Sequence, residues 1–288
     1  MPARSNTGLF YCNTVTGNIF TPRVLVYNSN MLTVPSALIL GIVEGFTEFL
    51  PISSTAHLNL ASDLLGLTQD NYLKTFEVAI QSGAILAVLF LYWRKFTNKD
   101  VLKKIFVAFI PTGILGLIFY SFIKDLLIGN TGVVLWSLTI GGLLLLLFEK
   151  VHLEKDQAQD LTHVDYKKSL WIGIFQSIAM VPGVSRAGAT IVGGMLLGLR
   201  REIIVEFSFL LAVPTMLAAT GLDLYKNIGL FSQGQLHLLG IGFLASFGMA
   251  ILSIKFLLAY IRQHNFMVFG FYRILLVIVF LLWGWLSV

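Results

Sequence analysis

The sequence predicts an all-α integral membrane protein, in which six crossing helices and two broken re-entrant helical segments form an inverted-topology repeat. Composition and a similarity between the two halves of the chain lead to this prediction. Hydrophobic residues make up 56% of the 288 residues and charged residues only 12%, about half the charged fraction of an average soluble domain. The mean hydropathy is +0.81, so an ordinary soluble fold is excluded.

The first 30 residues differ from everything that follows. They are polar and lack helical periodicity, so we expect residues 1–30 to be a disordered or wrongly assigned extension. No apolar core precedes a small-residue cleavage site, which argues against a signal peptide. Residues 31–288 are expected to form one membrane domain. The single cysteine, Cys12, excludes an intramolecular disulfide and a cysteine-based metal site.

A weak internal repeat relates the two halves. Residues 41–44 read Gly-Ile-Val-Glu and residues 173–176 read Gly-Ile-Phe-Gln, and Phe76 and Phe207 open apolar runs at nearly equal distances beyond them. The repeat halves are about 37–149 and 170–287. Each contains three apolar stretches of membrane-spanning length, predicted at residues 74–93, 105–123, 131–149, 205–225, 235–259 and 267–287.

The segments 37–60 and 170–199 are interrupted by Pro-containing, Ser-rich centres. Proline ends regular helix, and irregular backbone at membrane depth is tolerated only where protein or water covers it. These segments are therefore predicted to enter and leave the membrane on one side. Three crossings per half then invert the second half relative to the first, so that the two broken segments meet near the midplane.

Basic residues predict the orientation of the domain. The chain has a net charge of +5, and its lysines and arginines cluster in short connections, mainly residues 94–104 and 150–169. Lysine and arginine favour cytoplasmic loops, which places both termini outside and lets the first broken segment dip in from the outer face. This charge pattern sets orientation and gives no indication of nucleic-acid binding.

The first broken segment carries two acids, Glu44 and Glu48, in an otherwise apolar run. Their spacing of four places both on one helix face, and carboxylates at membrane depth persist mainly where they serve a function. A polar group follows Pro51, made of Ser53, Ser54, Thr55 and His57. The alternatives are that the serines cap the next helix and that the histidine is structural.

The second broken segment centres on Arg186, between Gly183, Ser185 and Thr190. A guanidinium can hold two phosphate oxygens at once, and helix N-termini add backbone donors for an anion. The pattern predicts an anion site at membrane depth. The alternative is that Arg186 merely pairs with Glu44 or Glu48 to hold the two segments together.

Both motifs together resemble the bacitracin-resistance family of undecaprenyl-diphosphate phosphatases, from about Met31 to Val288. The resemblance implies hydrolysis of undecaprenyl diphosphate in the bacterial inner membrane. It assigns catalytic roles to residues matching Glu44, Glu48, Ser54, His57 and Arg186. For phosphate binding we expect Ser53, Thr55, Gly183, Ser185, Arg186 and Thr190. The chain departs from the family at Ala187, where serine is common.

Several points stay open at this level. A divalent cation, Mg²⁺ or Ca²⁺, could bridge Glu44, Glu48 and the diphosphate. Serine, histidine and water are all candidate nucleophiles. Expected partners are a polyprenyl diphosphate and membrane lipids, and a homodimer is left open. The competing function is a flippase or transporter of a polyprenyl phosphate, because inverted repeats with broken helices are a transporter architecture.

Overall fold

The structure, a computed structural model, describes residues 9–12, 23–26, 32–119, 122, 130–152, 160–161, 164–227 and 235–286. Within the first 30 residues it describes two short strands, β1 (Leu9–Cys12) and β2 (Arg23–Val26), which pair antiparallel. The expectation that residues 1–30 are a disordered or wrongly assigned extension stays a prediction.

Ten helices lie within the described part of residues 32–286. In chain order they are α1 (Val34–Thr47), α2 (Ser54–Leu64), α3 (Asn71–Phe96), α4 (Lys99–Ile118), α5 (Thr131–Val151), α6 (Tyr166–Ser177), α7 (Arg186–Leu196), α8 (Arg201–Asn227), α9 (Leu236–Ile261) and α10 (Met267–Leu286). A short 3₁₀ turn, Ile178–Met180, extends α6. The predicted all-α membrane fold is confirmed.

Five of these helices, α3, α4, α5, α8 and α9, are long and apolar enough to cross a membrane. Helix α10 has 20 residues, which at 1.5 Å per residue also matches the hydrocarbon thickness. The six predicted spans therefore correspond to six helices. The second begins earlier than predicted, at Lys99, because the Asn98 side chain accepts from the amides of Asp100 and Val101 and caps the helix.

The two broken segments are present and run from α1 through α2 and from α6 through α7. In the first, helix stops at Thr47 and restarts at Ser54, and Ser53 in between has a positive φ of 71°. In the second, Gly183 turns the chain with φ of 89°. Ser185 then caps α7 by accepting from the Gly188 amide at 3.1 Å.

The halves exchange their broken segments. Helix α1 packs against α9 of the second half, and its counterpart α6 packs against α4 of the first. The remaining counterparts meet each other, α3 with α8 and α5 with α10. This reciprocal pairing is what a pseudo-twofold axis between the halves produces, and it brings both breaks to the centre of the molecule.

Glycines allow these exchanged helices to touch through their backbones. A Cβ on Gly41 or Gly45 of α1 would collide with the carbonyl oxygens of Gly242 and Ser246 in α9. In the related pair, a Cβ on Gly173 of α6 would collide with the Ala108 carbonyl of α4. Small residues permit the close approach that stabilises helix pairs in lipid, so these glycines fix the depth of both broken segments.

Gly45→Ala should therefore destabilise the protein, by about 1–3 kcal/mol, the usual cost of overpacking. Gly248→Ala in α9 is the matched control, because its added Cβ would have no neighbour within 4 Å. Thermal unfolding in detergent measures both. Equal midpoints for the two variants would contradict the backbone contact between α1 and α9.

Candidate active site

The two breaks are joined by direct contacts at the centre of the molecule. Ser185 Oγ donates to the Leu50 carbonyl at 3.3 Å. One Arg186 nitrogen, Nη2, lies 3.2 Å from Glu48 Oε1 and forms an ion pair with it. The acid of the first motif and the arginine of the second, 138 residues apart in sequence, therefore share one site.

Glu48 holds two partners from different segments. Its Oε1 faces Arg186, while its Oε2 accepts a hydrogen bond of 2.5 Å from Ser54 Oγ. Glu48 lies just past the end of α1 and Ser54 begins α2, so the break itself folds the hydroxyl back onto the carboxylate. A hydroxyl whose proton points at a carboxylate is prepared to lose that proton.

Arg186 is held by more than its ion pair. Its Nη1 donates to the Ser208 carbonyl at 2.9 Å, and the Ser208 hydroxyl bonds Thr190 Oγ1 at 2.6 Å. The guanidinium also lies 5.8 Å from the centre of the Phe49 ring. The predicted phosphate ligand Thr190 is fully buried. In this structure it bonds Ser208, the residue whose carbonyl accepts from Arg186.

A cavity of about 200 Å³ lies between the breaks. Most of the predicted polar residues line it: Glu48, Ser53, Ser54, Thr55, Ser185 and Arg186. Further polar walls come from Gln81, Thr112, Gln176 and Thr215, which the motifs did not indicate. The cavity has room for a phosphate-sized group and water, but not for a long lipid tail.

Glu44 is not among the residues that line this cavity. Its side chain is fully buried, and neither carboxylate oxygen has a hydrogen-bond partner among the described residues. Glu48 follows the last residue of α1 with helical backbone, and its amide donates to the Glu44 carbonyl at 3.0 Å. The two acids therefore keep their helical spacing, and only Glu48 lines the cavity.

His57 lies in the first turn of α2 with both ring nitrogens engaged. Nδ1 is 2.7 Å from the Ser53 carbonyl, and Nε2 is 2.8 Å from the Tyr272 hydroxyl. A carbonyl only accepts, so Nδ1 carries the proton and Nε2 accepts from the tyrosine. The two rings are also stacked, with centroids 5.5 Å apart. His57 is absent from the cavity lining.

Arg273 of α10 braces both breaks from behind. Its guanidinium donates to four carbonyl oxygens, those of Ser137, Leu138, Pro51 and Gly183. The side chain is only 3% exposed. The predicted phosphate ligand Gly183 thus packs between α5 and Arg273, since a Cβ there would come within 2.7 Å of the Val134 carbonyl.

Known proteins share the stretch of sequence that contains both motifs. A family model described as "Bacitracin resistance protein BacA" matches residues 37–279. The chain belongs to this family. The resemblance found in the sequence is thereby confirmed.

Curated relatives of this BacA-family chain carry the name undecaprenyl-diphosphatase. One from Sulfurihydrogenibium sp. (strain YO3AOP1) is 53% identical over 88% of this chain and all of its own length. One from Aquifex aeolicus is 49% identical, covering 85% of this chain and 96% of the relative. One from Thermus thermophilus is 48% identical, with 85% and 95% covered.

Sequence reasoning missed three residues that organise this BacA-family site: Ser208, Tyr272 and Arg273. A signal existed for Arg273, because it is a charged residue inside the apolar window predicted as the last span, and such residues are usually functional or paired. Ser208 and Tyr272 gave no comparable signal. Their importance depends on which residues they meet across the two halves.

Arg273→Gln should lower stability by at least about 2 kcal/mol, because buried carbonyl oxygens of both breaks lose charged donors. Arg262→Gln at the exposed end of α9 is the control and should change little. Thermal unfolding in detergent distinguishes them. A stable Arg273→Gln protein would show that the breaks are held without this brace.

Proposed function

We propose that this protein hydrolyses undecaprenyl diphosphate to undecaprenyl phosphate and inorganic phosphate. This reaction recycles the lipid carrier of peptidoglycan and other envelope polymers, and the activity confers resistance to bacitracin. The observation that carries the proposal is the Ser54 hydroxyl, which donates to Glu48 beside Arg186 in a polar cavity among apolar helices. The names of the relatives support the same substrate.

The diphosphate would enter the cavity while the lipid tail stays outside. Among the described residues that line the cavity, Arg186 carries the positive charge. Its guanidinium can exchange the Glu48 contact for phosphate oxygens. Ser53, Thr55 and Ser185 add hydroxyls. The outer surfaces of the helices expose large apolar side chains, such as Leu117 and Leu252, which suit a prenyl chain.

Among the three nucleophiles the sequence left open, the geometry favours Ser54. Its oxygen would form a bond to the terminal phosphorus, while the bond from that phosphorus to the bridging oxygen breaks and its electron pair leaves with the lipid monophosphate. The serine proton passes to Glu48 and from there to the leaving group. Water then hydrolyses the phosphoserine. His57 is better suited to hold the break through Ser53 and Tyr272.

A divalent cation is compatible with the residues present. Mg²⁺ is commonly held by one or two carboxylates plus substrate phosphates, and Glu44 has two buried oxygens without a partner among the described residues. Glu44 and Glu48 would hold the ion. When bound, it would offset the charge of the diphosphate. No set of three or more acidic, histidine or cysteine side chains that could bind a metal occurs in the described ranges.

A flippase remains the second candidate function. Two repeat halves that exchange broken segments at the centre of the molecule are an architecture found in transporters. A carrier needs Arg186 but has no use for a serine aligned on a carboxylate. Release of inorganic phosphate from a long-chain prenyl diphosphate by the purified protein separates the two functions.

Topology follows from the basic ends of the helices. Arg94 and Lys95 close α3, Lys99 opens α4 and Lys150 closes α5, all on one side. We place this side in the cytoplasm of a bacterial inner membrane, with the catalytic cavity opening to the outer face. A homodimer remains a prediction without structural argument.

Single cysteines at positions 99 and 130, in a Cys12→Ser background, should report this orientation. An impermeant thiol reagent added to intact cells should label the site near Asn130 and spare the site near Lys99. Both sites should react after the cells are opened, which controls for reactivity. Labelling restricted to the Lys99 position in intact cells would invert the proposed topology.

Ser54→Ala, Glu48→Gln and Arg186→Lys should each lower kcat by at least about tenfold, or about 1.4 kcal/mol of transition-state stabilisation. The lysine variant keeps the charge but loses the planar fork. Glu202→Gln is the control for the glutamate, since its side chain is 43% exposed. Phosphate release is the measurement. Wild-type turnover in all three well-folded variants would refute this site and favour the flippase.

A further inference from the structure

Gln176 forms part of the cavity on the side contributed by the second half. It lies one residue before the end of α6, at the position that Glu44 occupies in the first half, since residues 173–176 repeat residues 41–44. The side chain is 1% exposed. Its Nε2 donates to Thr112 Oγ1 at 2.9 Å and to Thr215 Oγ1 at 3.0 Å. All three residues line the same cavity as Glu48 and Arg186.

The two threonines fix which end of the amide is free. Thr215 Oγ1 donates to the Leu211 carbonyl at 2.8 Å, and Thr112 Oγ1 donates to the Gly173 carbonyl at 3.1 Å. A hydroxyl has a single proton to donate, so both threonine oxygens can only accept from the amide. Gln176 accordingly turns its Nε2 toward them. Its Oε1 is left without a hydrogen-bond partner among the described residues.

A buried carbonyl oxygen without a partner calls for a hydrogen-bond donor. The oxygens of an ionised diphosphate are acceptors and do not fit this requirement. Water does fit, because it is a donor and is the second substrate of the hydrolysis proposed above. A cavity of about 200 Å³ has space for a phosphoryl group and for water, since one water needs only about 10–15 Å³ on this measure.

Gln176 also differs in charge from Glu44, its counterpart in the first half. A carboxylate at this position would repel the diphosphate across the small cavity, whereas the amide offers an acceptor oxygen with no net charge. The second half thus supplies a neutral acceptor where the first half has the acid Glu44. A glutamine that orients an attacking water is an established solution in phosphoryl transfer.

We propose that Gln176 holds the hydrolytic water through Oε1, a role that rests on the proposed phosphatase function. The water oxygen forms a bond to the phosphorus of the phosphoserine. The bond from that phosphorus to Ser54 Oγ breaks, and its electron pair stays on the serine oxygen. One water proton passes to Glu48, which returns a proton to Ser54. If water attacks the diphosphate directly, the bond to the bridging oxygen breaks instead and Gln176 has the same role.

The test is Gln176→Met, which keeps the length of the side chain and removes its hydrogen bonds. Exposed Gln263 receives the same change as a control. For each purified protein we would measure kcat and KM with a prenyl diphosphate, together with inhibition by inorganic phosphate. Gln176→Met should lower kcat at least about tenfold, with KM and the inhibition constant for phosphate within about twofold of wild type. Gln263→Met should match wild type.

Thr215→Val supplies an independent variant in case Gln176→Met does not fold. It leaves the glutamine in place but removes one of the two acceptors that orient its amide, so kcat should fall about threefold or more with KM unchanged. Unchanged kcat in a folded Gln176→Met, or in Thr215→Val where the first is unstable, would overturn the role.

Two other outcomes would also test the role of Gln176. A loss expressed in KM and in phosphate inhibition, with kcat retained, would make Gln176 a phosphate contact and overturn its role toward water. Wild-type protein that releases no phosphate would overturn the proposed function and this role with it. Wild-type release alongside a fully active Gln176→Met would overturn the role alone.

Discussion

The structure depends on satisfying the backbone of two helix breaks inside the membrane. Carbonyl groups freed by a break have no water to accept from in hydrocarbon, so protein donors must replace it. Arg273 does this for Pro51 in one break and Gly183 in the other, while Ser185 bonds Leu50 across the gap. Because residues of the second half support the first break, satisfying its backbone also brings the acid and the arginine together.

The same arrangement explains how polar chemistry is sustained in an apolar domain. Glu48 is buried but is matched by Arg186 and Ser54, and burying a charge is tolerated when it is paired and hydrogen-bonded. Under the proposed function, substrate phosphate would take the place of one of these partners. The ion pair between Arg186 and Glu48 agrees with both the catalytic and the bracing role of the arginine.

Much of this fold could be predicted from apolar windows and from proline. The six spans and both broken segments follow from them, as does the meeting of the two motifs. That only Glu48 of the two acids lines the cavity could not be predicted, because both keep helical spacing and the packing around α1 decides which of them reaches the cavity. The partnership of His57 with Tyr272 joins residues 215 apart, and a single sequence holds no local signal for such a contact.

The exchange of broken segments between the halves has a consequence for biogenesis. Helix α1 finds most of its packing surface in α9, about 200 residues later in the chain. At the usual synthesis rate of about 5–20 residues per second, roughly 10–40 s pass before that surface exists. During this interval the first break has unsatisfied polar groups in the bilayer, so the nascent protein needs water, lipid headgroups or the insertion machinery as a temporary partner.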